Sequence, residues 1–295
     1  MSRRVLIDGV GYPPEGAKIS AYDRGFLYGD SVFETVRTYG GRLFALTEHL
    51  ARLVRSASQI GLRLPVSTEQ LAEETERAVR EGDNAESYAR IMITRGSGPV
   101  DLDPMSAEQP LRVIFIAPLV TPPAAHYRDG ITVHSVETVR ASDAAGSAKL
   151  GNYLASALAL RLAREAGAVE ALVVNRDGVV VEGPTSNVFM VRDGALVTPP
   201  LEIGVLEGIT RGIVIQLAGE LGLEVRFEAY PPEQVAQSDE LFLTSSLREV
   251  IPVVLVDERQ IGDGKPGPVT RSLHRAFRQH VGFDGLLPHE ASAPR

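Results

Sequence analysis

A single lysine, Lys149, stands in 147-SAKLGNYLASALAL-160 among small and apolar residues, with no charged neighbour between Ala144 and Leu160. The chain has three lysines, Lys18, Lys149 and Lys265, against 27 arginines, so lysine is not its ordinary source of positive charge. Lys18 in EGAKIS and Lys265 in GDGKPGP occupy polar or Gly/Pro-rich surface contexts. A lysine in apolar surroundings gives up its proton readily and then works as a nucleophile or base. The same stretch also suits a lysine at a helix start whose ammonium reaches back to water.

Three further features suit the same kind of ligand. Glu182 ends the run VVVE, a lone carboxylate in a strand otherwise patterned for burial, and it either meets a buried partner or points into water. The stretch 207-EGITRG-212 sets a glycine just ahead of an apolar helix. Free N–H groups there bind phosphate, or merely begin a helix. In 244-TSSLRE-249, hydroxyls at a strand end serve a ligand or a local turn. One cofactor would use all four features. Pyridoxal 5′-phosphate (PLP) takes a lysine for its Schiff base, a charged partner for its ring nitrogen and a cradle for its phosphate. An arginine completes such a cradle by bidentate pairing.

Composition narrows the field. A 295-residue chain, 44% hydrophobic and 23% charged, can bury one large core or two ordinary ones. A net charge of −8 argues against a nucleic-acid surface. The absence of cysteine removes disulfides, a thiol nucleophile and thiolate-bound metal. The histidines at 49, 126, 134, 274, 280 and 289 form no close-set ligand pattern, so no metal is expected. The N-terminus MSRRVLIDGVGYPP has no signal-like apolar run and no segment is long enough to span a bilayer, so a cytoplasmic protein with no membrane partner is expected.

The elements that must position these residues follow from periodicity. RVLIDG, SVFETVRTYGGRLFAL, YARIMITRG and LRVIFIAPLV read as strands, with a hairpin turn at Gly40–Gly41. TEHLARLVRSASQIGL reads as a helix capped by Thr47, and STEQLAEETERAVREG as one capped by Ser67. TPPAAHYRDG reads as a linker. A strand follows over 131–140, then a helix from about Gly151 to Gly167, two hairpins turning on RDG, an apolar helix from LEGITRG, strands in EVRFEAY and ELFLTSS, and a closing amphipathic helix. The expected organisation is an N-terminal α+β domain over 1–120, a linker over 121–130, a C-terminal domain over 131–283 and a loose tail over 284–295.

The chain resembles the class IV, fold-type IV PLP enzymes: branched-chain aminotransferases, D-amino acid aminotransferases and aminodeoxychorismate lyases. The resemblance runs from about Ser20 to Phe277 through SAYDRGFLYGDSVFETVR, HLARL, YARIMITRG, K..NYLASALA, VVVEGPTSNVF, TPPLEIGVLEGITR and FLTSSLREVIPV, in that order. It implies an α+β fold of the D-amino acid aminotransferase type, with a smaller N-terminal α/β domain and a larger C-terminal PLP domain whose core is β-barrel-like. It also implies that Lys149 binds the cofactor covalently and carries the proton of the reaction, that Glu182 pairs with the pyridine nitrogen, and that Tyr153 bonds the cofactor's phenolic oxygen. Arg52, the N–H groups of Ile209 and Thr210 and the hydroxyl of Ser246 would hold the phosphate, and Asn187 shares the motif of Glu182.

Tyr28, Phe33, Tyr88 and Arg90 match positions that line the side-chain pocket of branched-chain aminotransferases. Leu247 and Arg248 fall in the loop that meets the substrate carboxylate, and Arg248 either binds a second carboxylate or faces water. The implied activity is transfer of an amino group from an amino acid, a branched-chain L-amino acid first, to a 2-keto acid such as 2-oxoglutarate, by a homodimer. Three departures keep other branches open: Thr35 in FETVR, the short spacing from Lys149 to Tyr153, and TSSLRE at the loop. The alternatives are an aminodeoxychorismate lyase, which RGSG and ETVR resemble, and a D-amino acid or (R)-amine transaminase. Against the D-specific branch, RGSGPVDLD lacks the arginine that traps the substrate carboxylate there. A protein that only carries PLP would leave Lys149 and Glu182 without a task.

Overall fold

The computed structural model describes residues 2–107, 109–138 and 147–290. It divides into two compact units, Met1–Val120 with Ala141–Tyr153, and Thr121–Arg140 with Leu154–Arg295.

The first unit is built on a six-stranded antiparallel sheet. Its strands are β1 (Arg4–Ile7), β2 (Val10–Tyr12), β3 (Ser31–Tyr39), β4 (Arg42–Leu43), β5 (Ser87–Thr94) and β6 (Leu111–Pro118), in the order β2-β1-β6-β5-β3-β4. Gly40 and Gly41 both take positive φ, 57° and 75°, as the two-residue turn between β3 and β4 demands. Three helices accompany the sheet: α1 (Arg24–Tyr28), α2 (Leu46–Gln59) and α3 (Thr68–Gly82). Ser67 caps α3 as expected, accepting the Gln70 N–H at 3.2 Å. Thr47 does not cap α2. The helix starts before it, after Ala45 in the left-handed region, with no side-chain cap.

Leu50, Leu53 and Ala57 of α2 and Leu71 and Ala78 of α3 pack on Val32, Val36, Ala89, Ile91, Ile93 and Ile114 of the sheet. Each such leucine or isoleucine contributes about 2 kcal/mol by leaving water. Strand residues alternate in direction, so the intervening residues of β3 and β5 point the other way. They face one another in register as Phe33 with Met92, Thr35 with Arg90 and Arg37 with Tyr88.

The second unit holds a nine-stranded mixed sheet. In chain order its elements are α4 (Ala124–Arg128), β7 (Ile131–Glu137), α5 (Leu154–Glu165), β8 (Glu170–Val174), β9 (Val180–Glu182), β10 (Asn187–Arg192), β11 (Ala195–Thr198), α6 (Ile209–Glu220), β12 (Val225–Phe227), α7 (Pro232–Val235), β13 (Glu240–Ser245), β14 (Glu249–Val256), β15 (Arg259–Gln260) and α8 (Pro268–His280). The sheet runs β12-β11-β10-β13-β14-β7-β8-β9, with β15 on β14. The pairs β7–β8, β7–β14 and β11–β12 are parallel. Its core gathers Leu172, Val188, Met190, Val197, Tyr230, Leu241, Leu243 and Ile251.

The structure redraws some boundaries. The segment 121–130 carries α4, whose Tyr127 lies in the core of the second unit. The helix after Lys149 begins at Leu154, so Lys149 and Tyr153 precede it and sort with the first unit. Leu287 is buried and Arg275 pairs with Glu290, so the expected tail is packed to residue 290. Residues 139–140 of the expected strand and 291–295 of the tail lie outside the described residues. Among the described residues no helix is long and apolar enough to cross a membrane.

Candidate active site

In the first unit, residues 149–151 run along the start of β3. The Phe33 N–H donates to the Lys149 carbonyl at 3.1 Å, Leu150 bridges Val32, and the Gly151 N–H donates to the Ser31 carbonyl at 2.8 Å. A Cβ at Gly151 would overlap the Ser31 hydroxyl, so only glycine permits this approach. From α2, the Ser56 hydroxyl accepts the Lys149 N–H at 3.1 Å. With its backbone fixed on β3 and α2, Lys149 sends Nζ to within 3.1 Å of the Tyr153 hydroxyl and 4.7 Å of the Phe33 ring centroid. Phe33 and Tyr153 meet edge to face at 5.0 Å, and the Arg90 guanidinium lies 3.8 Å from the Phe33 ring centre. Tyr28 closes α1 beneath the Arg24 guanidinium at 5.0 Å.

The next residue of β3, Glu34, is fully buried on the helix side. Arg52 of α2 grips it with both edges of its fork, Nε to Oε1 at 2.7 Å and Nη2 to Oε2 at 2.6 Å. His49, one turn earlier, places Nδ1 2.7 Å from Oε2. Burial pushes the Glu34 carboxyl up, but the Arg52 guanidinium and the His49 bond outweigh it and hold it at about 2. Burial also pushes His49 below its ordinary value, against the pull of Glu34.

In the second unit, the buried Glu182 carboxylate ends β9. Its Oε2 accepts the Asn187 Nδ2–H at 2.9 Å and the Leu206 N–H at 3.1 Å, while Asn187 also donates to the Leu206 carbonyl at 2.9 Å. Asn187 therefore clasps β9, β10 and the loop leading into α6. That loop ends in Gly208, where a Cβ would overlap Asn187 Oδ1. Ile209 and Thr210 open α6 directly after it, and no side chain caps them. The first N–H groups of a helix lack intrahelical partners, so this end can receive an anion. Arg211 in the same turn donates to the Pro199 carbonyl at 3.0 Å, and its buried Nε has no partner. Burial lowers Arg211 from its ordinary value, with Glu182, Glu207 and Glu202 opposing.

Ser246 and Leu247 sit at the tip of the β13–β14 hairpin, beside Thr244, whose hydroxyl is buried without a partner. Arg248 follows them in the hairpin. Its guanidinium turns inward to the buried Glu170 and donates to the Thr185 hydroxyl at 2.9 Å.

Tyr28, Phe33, Arg52, Tyr88, Arg90, Lys149 and Tyr153 thus belong to the first unit, and Glu182, Asn187, Ile209, Thr210, Ser246, Leu247 and Arg248 to the second. Sequence reasoning passed over Glu34, His49 and Ser56. The available signal was a carboxylate inside an apolar strand run, with His49, Arg52 and Ser56 spaced along one face of a helix. Among the described residues no cluster suits a metal ion.

A family model for amino-transferase class IV matches residues 31–256. A putative branched-chain-amino-acid aminotransferase of Methanocaldococcus jannaschii is 37% identical over 93% of this chain and 95% of its own length. A D-alanine aminotransferase of Staphylococcus haemolyticus is 33% identical over 94% of this chain and 98% of its own. Among solved structures, the branched-chain aminotransferase of Escherichia coli superposes with a TM-score of 0.90 at 31% identity, covering 99% of this chain and 97% of that one. A fold IV transaminase of Curtobacterium pusillum superposes at 0.77 with 26% identity, over 92% of this chain and 96% of that one. The fold expected from the motifs is therefore the fold found, and the chain belongs to the class IV aminotransferases.

Proposed function

We propose that this aminotransferase uses PLP to move an amino group from a branched-chain L-amino acid to a 2-keto acid such as 2-oxoglutarate, as a homodimer. The observation that carries the reading is Lys149, whose amine is held by a phenol above an aromatic ring while its backbone is pinned by β3 and α2. The residues present suit a phosphorylated pyridine. The uncapped N–H groups of Ile209 and Thr210 and the unpartnered hydroxyl of Thr244 suit a phosphate, and Gly208 brings Asn187 close to the start of that helix. Ser246 adds its hydroxyl to that task. The Glu182 carboxylate, oriented by Asn187 and the Leu206 N–H, suits a ring nitrogen that must stay protonated.

Bound PLP supplies the electron sink that makes a substrate α-proton removable. Lys149 would anchor it covalently, and its free amine would carry the proton at the substrate's α-carbon. Tyr153 holds Nζ between these tasks. The Phe33, Tyr88 and Arg90 face of the sheet receives the substrate side chain.

The names of the relatives in Methanocaldococcus jannaschii and Escherichia coli support a branched-chain donor. The D-alanine aminotransferase likeness supports a second reading, a D-amino acid donor. The deciding experiment is the visible spectrum of the purified protein with L-leucine, and separately with D-alanine, in the absence of any keto acid. Loss of the lysine-bound cofactor band with L-leucine, together with release of the branched keto acid, is the expected result. A band moved only by D-alanine gives the second reading, and a band moved by neither sinks both.

A further inference from the structure

We propose that Glu249 and His274 are positioning residues that set the β13–β14 hairpin tip, and through it the Ser246 hydroxyl, for the phosphate group of the cofactor; this rests on the reading above. The tip joins Ser245 to its partner Glu249 through three residues, a loop that ordinarily ends on glycine in the left-handed region. Here the left-handed residue is Glu249, the first strand residue after the loop, with φ 58°, a conformation that strains a residue bearing a side chain. Glycine would relieve the strain but would carry no carboxylate.

The Glu249 side chain is buried and turned back under the hairpin onto α8. His274 Nε2 lies 2.8 Å from Oε2, and Arg278 Nη1 donates to Oε1 at 3.2 Å. A buried carboxylate is tolerable only with such partners. Their effect is to tie the last residue of the tip to a helix that takes no other part in the site.

The bracing continues outward from the same point. Tyr127 of α4 packs its ring 5.4 Å from His274 and donates its hydroxyl to the Arg248 carbonyl at 3.1 Å. The Arg248 N–H donates to the Ser245 hydroxyl at 3.3 Å. The Arg248 guanidinium crosses to Glu170 and Thr185, and Thr185 lies in the turn joining Glu182 to Asn187. Backbone and side chains of 245, 248 and 249 are thus committed, while Ser246 at the tip enters no hydrogen bond among the described residues. A tip fixed on both sides and left open at one hydroxyl suits a ligand held by pre-arranged geometry.

The test is titration of the full-length protein, freed of cofactor, with PLP and with pyridoxal, which lacks the phosphate. Glu249→Gly is the informative variant, because glycine takes φ 58° without strain and removes the contacts to His274 and Arg278. It is expected to weaken PLP about tenfold, the scale of one well-formed bond to a charged group, and to leave pyridoxal within about twofold. Ser246→Ala alone is expected to weaken PLP, and to add nothing in the Glu249→Gly background. A Glu249→Gly protein that keeps the native preference for PLP over pyridoxal overturns the proposal, as does an additive loss in the double variant. Should Glu249→Gly not fold, His274→Gln decides by the same ratio and the same double variant. If the native protein itself shows no preference for PLP, the parent reading fails. If it does and the variants share it, only the brace fails.

Discussion

Replacing Glu34 by glutamine removes a charge while keeping shape, and the structure sets the size of the loss. The carboxyl is held at about 2 against an ordinary value of 4.5, a displacement worth about 3 kcal/mol at roughly 1.4 kcal/mol per unit. Breaking a buried ion pair by deleting one partner costs about 3–5 kcal/mol by a separate route, which agrees. Glutamine cannot accept at both oxygens, so one edge of the Arg52 fork or His49 Nδ1 faces an amide donor. The sign with pH is fixed. A carboxyl depressed in the folded state stabilises fully above its unfolded value of 4.5, and the contribution drains away as pH falls towards 2. With two units in the chain, global unfolding need not be two-state. The assay is therefore amide hydrogen exchange of β3, β5 and α2 under native conditions. The expected result is faster exchange in Glu34→Gln by about 3 kcal/mol near neutrality, narrowing steadily below about pH 4.5. A loss under about 1 kcal/mol, or a gap unchanged at the acid end, would refute the buried-pair argument.

Other substitutions probe the remaining links. Lys149→Ala should abolish steady-state transamination; measurable turnover would remove it as the proton carrier. Gly208→Ala forces a methyl into Asn187 Oδ1, so Asn187 must release Glu182, and PLP affinity should fall about tenfold by equilibrium titration. Burial depresses both His49 and His274, so the unfolded chain binds more protons below its value of 6.5, and stability should fall as pH drops through that value; melting temperatures that stay level from neutrality to acid would contradict this. Arg248→Met leaves Glu170 buried and unpaired and should cost about 3 kcal/mol in chemical denaturation, most of it recovered by adding Glu170→Leu.

Much of this was legible in the sequence because it depends on local rules. Alternation marked β3, β5 and β6, a serine announced α3, and paired glycines fixed the turn at 40–41. The helix α1 carried no signal because five residues make little more than one turn and show no period. The start of α2 was misplaced because Ala45 takes a left-handed conformation that composition does not announce. The assignment of residues 149–153 to the first unit rests on backbone bonds to Ser31 and Phe33, more than 100 residues away in sequence, which no local pattern records. Glu34 and Glu249 were hidden for a related reason. A carboxylate in a strand reads as exposed until its partners on a distant helix are known.

The distribution of partners separates what must stay from what must move. Arg52 is locked on Glu34, Arg248 on Glu170, and Glu249 between His274 and Arg278. Releasing any of them strands a buried charge, at about 3 kcal/mol or more. Lys149 differs. Among the described residues no carboxylate pairs with it, and its amine is held by one hydroxyl and two aromatic rings. Breaking that single bond costs about 1 kcal/mol. On the proposed reading, a group that is joined to a cofactor, displaced by substrate and returned in each cycle needs a hold of this order, whereas groups that only fix the backbone need the larger one. The lone lysine is lightly held on a heavily pinned backbone, the combination that the proposed covalent exchange at Nζ would use.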